Sequence, residues 1–113
     1  MQKRSSMKLV DLLPYGVRFL EDGRAMVFNR RYVQFGPILQ DVTPDWFRAR
    51  GVEFETRGWT AYVENGQRKE AETFWFYSDA TSPRTNSRTL RKVKFVAEMI
   101  TEKSREMFEE AAE

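Results

Sequence analysis

Apolar and polar positions alternate in short runs over the first two-thirds of the chain, then recur at steps of three and four to the end. The first pattern predicts strands and the second a helix. Residues 17 to 20 and 24 to 28 flank Glu21-Asp22-Gly23, and Asp-Gly between short apolar runs predicts a β-hairpin. Residues 32 to 35 predict a third strand, stopped by Gly36-Pro37. From Thr43 to Gly51 the signals are those of a short helix: Thr43 as N-cap, Pro44 at the first helical position, Asp45 complementing the dipole, Gly51 as the stop. Val52, Phe54 and Thr56 alternate with Glu53, Glu55 and Arg57, which predicts a strand with one wet face.

Residues 59 to 64 and 68 to 77 predict two more strands joined around Asn65-Gly66. A two-residue turn there would set Trp59 against Glu72 and Ala61 against Glu70. A three-residue loop, Asn65-Gly66-Gln67, sets Ala61 against Ala71 and Tyr62 against Glu70, which sorts the faces better and is the expected register. The polar stretch from Ser78 to Ser87 predicts a loop. Beyond it Leu90, Val93, Ala97, Ile100, Ser104, Met107 and Ala111 form the stripe of an amphipathic helix over residues 87 to 113, uninterrupted by Gly or Pro. At 1.5 Å per residue that helix is about 40 Å long against roughly 20–25 Å for five strands, so its last turns should overhang the sheet.

The expected architecture is therefore α+β and a single domain over residues 1 to 113: residues 1 to 8 flexible, a β-rich body over 17 to 77, and the C-terminal helix. The sheet is antiparallel, of five or six strands, with one short helix before its second half and the long helix packed on one face. Ile100, Met107 and Phe108, on turns that overhang, also offer a route to homodimerisation through that helix, set against packing on its own sheet.

Composition narrows the chemistry. The 113 residues include no His and no Cys, which removes the usual general base, the usual zinc ligands, thiolate nucleophiles and disulfides together. No catalytic or cofactor-binding motif is present, so a binding role is expected before an enzymatic one, with no cofactor and no metal. No apolar run approaches the roughly 18 residues of a membrane helix, and the basic start lacks an apolar segment behind it, so a soluble cytoplasmic protein is expected. The net charge of +2 conceals an asymmetry: 17 of the 19 Lys and Arg lie before Phe95, while 6 of the 17 Asp and Glu follow it.

Three features are candidates for function. Arg84, Arg88, Arg91, Lys92 and Lys94 crowd the start of the long helix with no acid between Asp79 and Glu98. Cations there oppose the helix dipole by about 0.3–1 kcal/mol each, so an external anion explains them better than helix stability does. Nucleic-acid phosphate is the leading partner, with Arg30 and Arg31 as further contacts; an acidic surface on a host protein is the alternative, and pairing with Glu53, Glu55, Glu70 or Glu72 the plainest reading. Phe74-Trp75-Phe76-Tyr77 puts rings on both faces of one strand, as a base-stacking platform would, or as core between the long helix and the N-terminal hairpin. Asp41, Asp45, Glu53, Glu55, Glu70 and Glu72 are the third, a carboxylate set for a divalent ion or an acidic edge.

Three resemblances bear on these. Residues 52 to 100, with Arg57, Trp59, Arg68 and Lys69 ahead of a basic helix, resemble the three-stranded DNA-reading domains of phage integrases and of a class of plant transcription factors, although Glu53, Glu55, Glu70 and Glu72 crowd the same sheet. Pro44-Asp45 followed by Glu53-Phe54-Glu55 resembles the pattern of metal-dependent nucleases, with Glu55 where that pattern has lysine. Residues 20 to 32, Leu-Glu-Asp-Gly-Arg-Ala-Met-Val-Phe-Asn-Arg-Arg-Tyr, resemble segments of small accessory proteins encoded by tailed phages. That last resemblance implies a viral protein in the bacterial cytoplasm that binds nucleic acid or acts as an inhibitor or adaptor on a host protein.

Overall fold

The computed structural model describes residues 8 to 112, so the expectation of a flexible start lies outside the described residues except at Lys8. The described residues begin with a one-turn helix, α1 (Leu9–Leu12), then form β1 (Pro14–Phe19) and β2 (Arg24–Asn29) around Asp22 and Gly23, both left-handed at φ 61° and 83°. The Asp-Gly hairpin is as expected, with Phe19 opposite Ala25 and Val17 opposite Val27.

The third strand is not at residues 32 to 35. The Asn29 side chain accepts hydrogen bonds from the N–H groups of Arg31 (2.9 Å) and Val33 (3.1 Å), folding a tight turn that leaves Tyr32 left-handed at φ 60°. Gln34 makes only an isolated bridge to Phe28, and β3 is the two-residue Leu39–Gln40, paired at the far end of β2.

Helix α2 (Pro44–Ala49) has the caps read from the sequence. The Thr43 hydroxyl accepts from the Trp46 N–H, and Gly51 closes the helix at φ 92°. The Gly51 N–H donates to the Arg48 carbonyl and the Val52 N–H to that of Phe47, a Schellman closure that draws Val52 back onto the core. That closure is why no strand forms at residues 52 to 55. Strand β4 begins at Thr56 and runs to Glu64; β5 is Gln67–Trp75.

The β4–β5 register corrects the expected one. Asn65 and Gly66 are left-handed at φ 53° and 76°, a two-residue turn that sets Trp59 opposite Glu72 and Ala61 opposite Glu70. Sorting of faces governs register only where a face is buried, and the outer half of this hairpin is not.

The sheet has five strands, all antiparallel, in the order β3-β2-β1-β5-β4. Leu39, Ala25, Val27, Val17 and Phe74 follow one another across one face, and α2 and the long helix α3 (Ser87–Ala112) cover it with Phe47, Val93, Val96 and Ile100. Each of these side chains is buried, worth roughly 1.5–3 kcal/mol for the larger ones. Phe74, Phe76 and Tyr77 belong to this core. The first hairpin lies beside β5 in the sheet instead of over it, so Trp75, on the opposite face, is only half-buried. The last turn of α3 is exposed, as the length comparison predicts; Ala111 and Phe108 are in solvent, while Met107 packs on the core. No described helix is long and apolar enough to cross a membrane.

Candidate nucleic-acid interface at the start of the long helix

Asn86 builds the start of α3. Its side-chain oxygen accepts from the N–H groups of Arg88 (2.9 Å) and Thr89 (3.2 Å), and its carbonyl accepts from Leu90 (3.0 Å). This cap occupies the N–H groups of Arg88 and Thr89, so an anion here would rely chiefly on side chains.

The helical period distributes those side chains around the axis. Val93 and Val96 face the core, which sends Arg91 and Lys94 to the solvent face, where both are exposed. Arg88 and Lys92, one turn apart, line a cleft of about 350 Å³ whose opposite wall carries Gly51, Glu53 and Glu55. Burial lowers the Lys92 ammonium pKa from its ordinary value, and the two glutamates pull it partly back. Arg84 precedes the helix, in the turn after Pro83, and borders an apolar pocket formed with Leu9, Leu13 and Leu90. The five bases share one end of the molecule but not one plane.

Ion pairing separates them from seven of the other described bases; Lys8, Arg18, Arg50, Lys103 and Arg105 likewise have no described carboxylate within 4.0 Å. Arg24, Arg30, Arg31, Arg48, Arg57, Arg68 and Lys69 each lie within 4.0 Å of a carboxylate. Among the described residues, Arg84, Arg88, Arg91, Lys92 and Lys94 do not. Pairing with Glu53 and Glu55 is thus reduced to attraction across the cleft, and Glu70 and Glu72 pair with Arg68 and Arg57.

Arg30 and Arg31 lie in the turn after β2. Arg30 pairs with Asp79 at 3.6 Å and Arg31 with Asp11 at 3.7 Å, so both sites are already partly neutralised. Burial, with a smaller contribution from the same Asp79, pushes the Tyr15 hydroxyl up to about 12. Asp11 sits on α1, which packs beside Pro83 and Arg84, so these arginines border the start of α3 without joining the unpaired group.

The other candidates disperse. Arg57, Arg68 and Lys69 are paired with Glu72, Glu70 and Glu64, and residues 52 to 55 form no strand, so the three-stranded DNA-reading pattern is absent. Asp45 is exposed and pairs with Arg48, and among the described residues no three acids converge as metal ligands would.

Two features lay outside the sequence reading. Arg18 is 6% exposed on the face of the sheet opposite α2 and α3, its guanidinium 4.8 Å from the centre of the Phe28 ring and its Nε donating to the Thr60 hydroxyl at 2.7 Å. Trp59 and Val63 on β4 are 67% and 72% exposed. Only the strand order reveals either one. No protein-family model, curated protein or solved structure matches the chain.

Proposed function

We propose that this protein is a non-enzymatic binding protein that holds nucleic-acid phosphate through Arg84, Arg88, Arg91, Lys92 and Lys94, with Arg30 and Arg31 at the margin. The observation that carries the reading is the gathering of five bases at one end of the molecule with no described carboxylate within 4.0 Å, in a chain where seven of the other described bases are paired and five are not. Unpaired cations beside the positive end of a helix dipole are unfavourable in the free protein, and phosphate relieves that repulsion while releasing its own counterions. Four of the five are exposed and three are arginines, whose planar fork suits phosphate. The phage resemblance of residues 20 to 32 supplies a biological setting, an accessory protein in a bacterial cytoplasm.

The test is binding to labelled single- and double-stranded oligonucleotides at roughly 50 and 200 mM salt, with wild type beside an Arg84→Ala/Arg88→Ala/Arg91→Ala variant. Wild type should lose at least about tenfold in affinity between the two salts, and the variant should bind more weakly with a shallower salt slope. Failure of wild type to bind either oligonucleotide at the lower salt overturns the reading and turns attention to an acidic host protein as the partner.

A further inference from the structure

Among the described strands, β4 forms one edge of the sheet and neighbours only β5. The Phe76 N–H donates to the Tyr15 carbonyl across from β1, which turns the even-numbered residues at this end of β5 toward β1 and the odd-numbered ones toward β4. Their partners are Thr56, Gly58, Thr60, Tyr62 and Glu64. The N–H and C=O groups of Arg57, Trp59, Ala61 and Val63 therefore face away from the sheet, and no described hydrogen bond reaches them.

Sheet edges in proteins are normally blunted by proline, a bulge, a lysine or an overlying loop. This one has nine residues in continuous register, without bulge or proline, and the last three of its four outward-bonding positions are Trp59, Ala61 and Val63. Their side chains share the face that bears α3, and Trp59 and Val63 are 67% and 72% exposed. An unpaired backbone edge thus coincides with an uncovered apolar stripe.

We propose that the protein self-associates by antiparallel pairing of β4 with β4 of a second copy, about a two-fold axis at Ala61. The argument for a second copy is that the strand is complementary to itself. With the axis at Ala61, Trp59 of each copy falls opposite Val63 of the other, an aromatic against a β-branched residue, and Ala61 meets Ala61 between them. On the other face Thr60 opposes Tyr62 and Gly58 opposes Glu64, so no like charges meet. An axis at Thr60 would instead set Trp59 against Ala61 and Arg57 against Val63, which buries less apolar surface. Because the axis runs normal to the sheet, both α3 helices and both basic starts lie on the same side of a ten-stranded sheet. The start of α3 is untouched by the pairing, so the two proposals stand or fall separately.

Sedimentation of the full chain from micromolar to near-millimolar concentration, beside Ala61→Pro and Phe108→Glu, tests this. Ala61→Pro removes an N–H that points outward, so the β4–β5 ladder keeps its bonds, and circular dichroism of the variant should match wild type. Wild type should form dimers as concentration rises, Ala61→Pro should weaken dimerisation about tenfold or more, and Phe108→Glu should dimerise like wild type. In wild type, hydrogen exchange at the Trp59, Ala61 and Val63 amides should slow with concentration, a reading that needs no variant. A wild type monomeric throughout, a dimer lost in Phe108→Glu but kept in Ala61→Pro, or exchange at those amides indifferent to concentration would each overturn the proposal.

Discussion

Set beside each other, the β1–β2 and β4–β5 hairpins turn on the same chemistry and end in opposite surroundings. Asp22-Gly23 and Asn65-Gly66 both supply two successive left-handed residues. Yet Val17, Ala25, Val27 and Phe28 are all fully buried, while every second residue of β4 is exposed. The first hairpin has β3 on one side and β5 on the other. The second is joined to β1 through the ladder only at its base, where Gly16 to Phe19 pair with Glu72 to Trp75; its outer half is reached by side-chain bonds, Arg18 to Thr60 and Arg24 to Glu64. Turn residues specify that a hairpin forms; its neighbours decide what the hairpin is worth to stability.

The largest test of that contrast is a pair of aromatic truncations. Phe47→Ala empties a site that touches the rings of Phe19, Phe54 and Phe76, at centroid distances of 6.2, 5.6 and 5.7 Å. Its cost should be about 3–5 kcal/mol in urea unfolding. Trp59→Ala, measured at low protein concentration, should change stability by no more than about 0.5 kcal/mol. Comparable costs for the two would mean that the outer hairpin is packed against something after all.

A smaller effect separates the two hairpins at their glycines. A Cβ on Gly16 would stand 2.6 Å from Cζ of Phe28 and 3.0 Å from the Phe74 carbonyl oxygen, one a core ring and the other backbone. Gly16→Ala should cost about 1–3 kcal/mol by thermal unfolding. At Gly58 the nearest atom is a ring carbon of half-buried Trp75 at 3.4 Å, which has room to move, so Gly58→Ala should cost much less.

Legibility in the sequence followed the same division. Features fixed by local chemistry were readable: the Asp-Gly hairpin, the caps of α2 at Thr43 and Gly51, the long α3 and its overhang. Features that depend on a competing local bond were not. Asn29 folds a turn where residues 32 to 35 alternate like a strand, and the Schellman closure at Gly51 takes Val52 out of a strand pattern just as regular. Face sorting points to the wrong β4–β5 register because it assumes a burial that the outer hairpin lacks. At the candidate site the five unpaired bases were legible as a charge run. The pairing of Arg30 and Arg31 with Asp79 and Asp11 was not, since those acids lie 49 and 20 positions away in the chain.

The smallest effect concerns what ties the outer hairpin down. Arg24, on β2, donates to Glu64 at the end of β4 (2.7 Å) and to Asp22 (2.9 Å), and Lys69 reaches the same glutamate at 3.2 Å. These hydrogen bonds, from Arg24 above all, draw the Glu64 carboxyl from its ordinary 4.5 down to about 2. A carboxylate whose folded pKa is depressed contributes stability that is full above its unfolded value and is lost as pH falls through the folded one. Wild type should therefore exceed Glu64→Gln in stability at neutral pH, and the gap should narrow between about 4.5 and about 2 and vanish below it. Unfolding curves of both proteins across that window measure the gap directly, with other carboxylates cancelling in the difference. Because the pair is partly exposed, added salt should shrink the gap at neutral pH. A gap that stays constant as pH falls would mean that Glu64 acts through packing, and that the outer hairpin is fastened to the first by contacts other than charge.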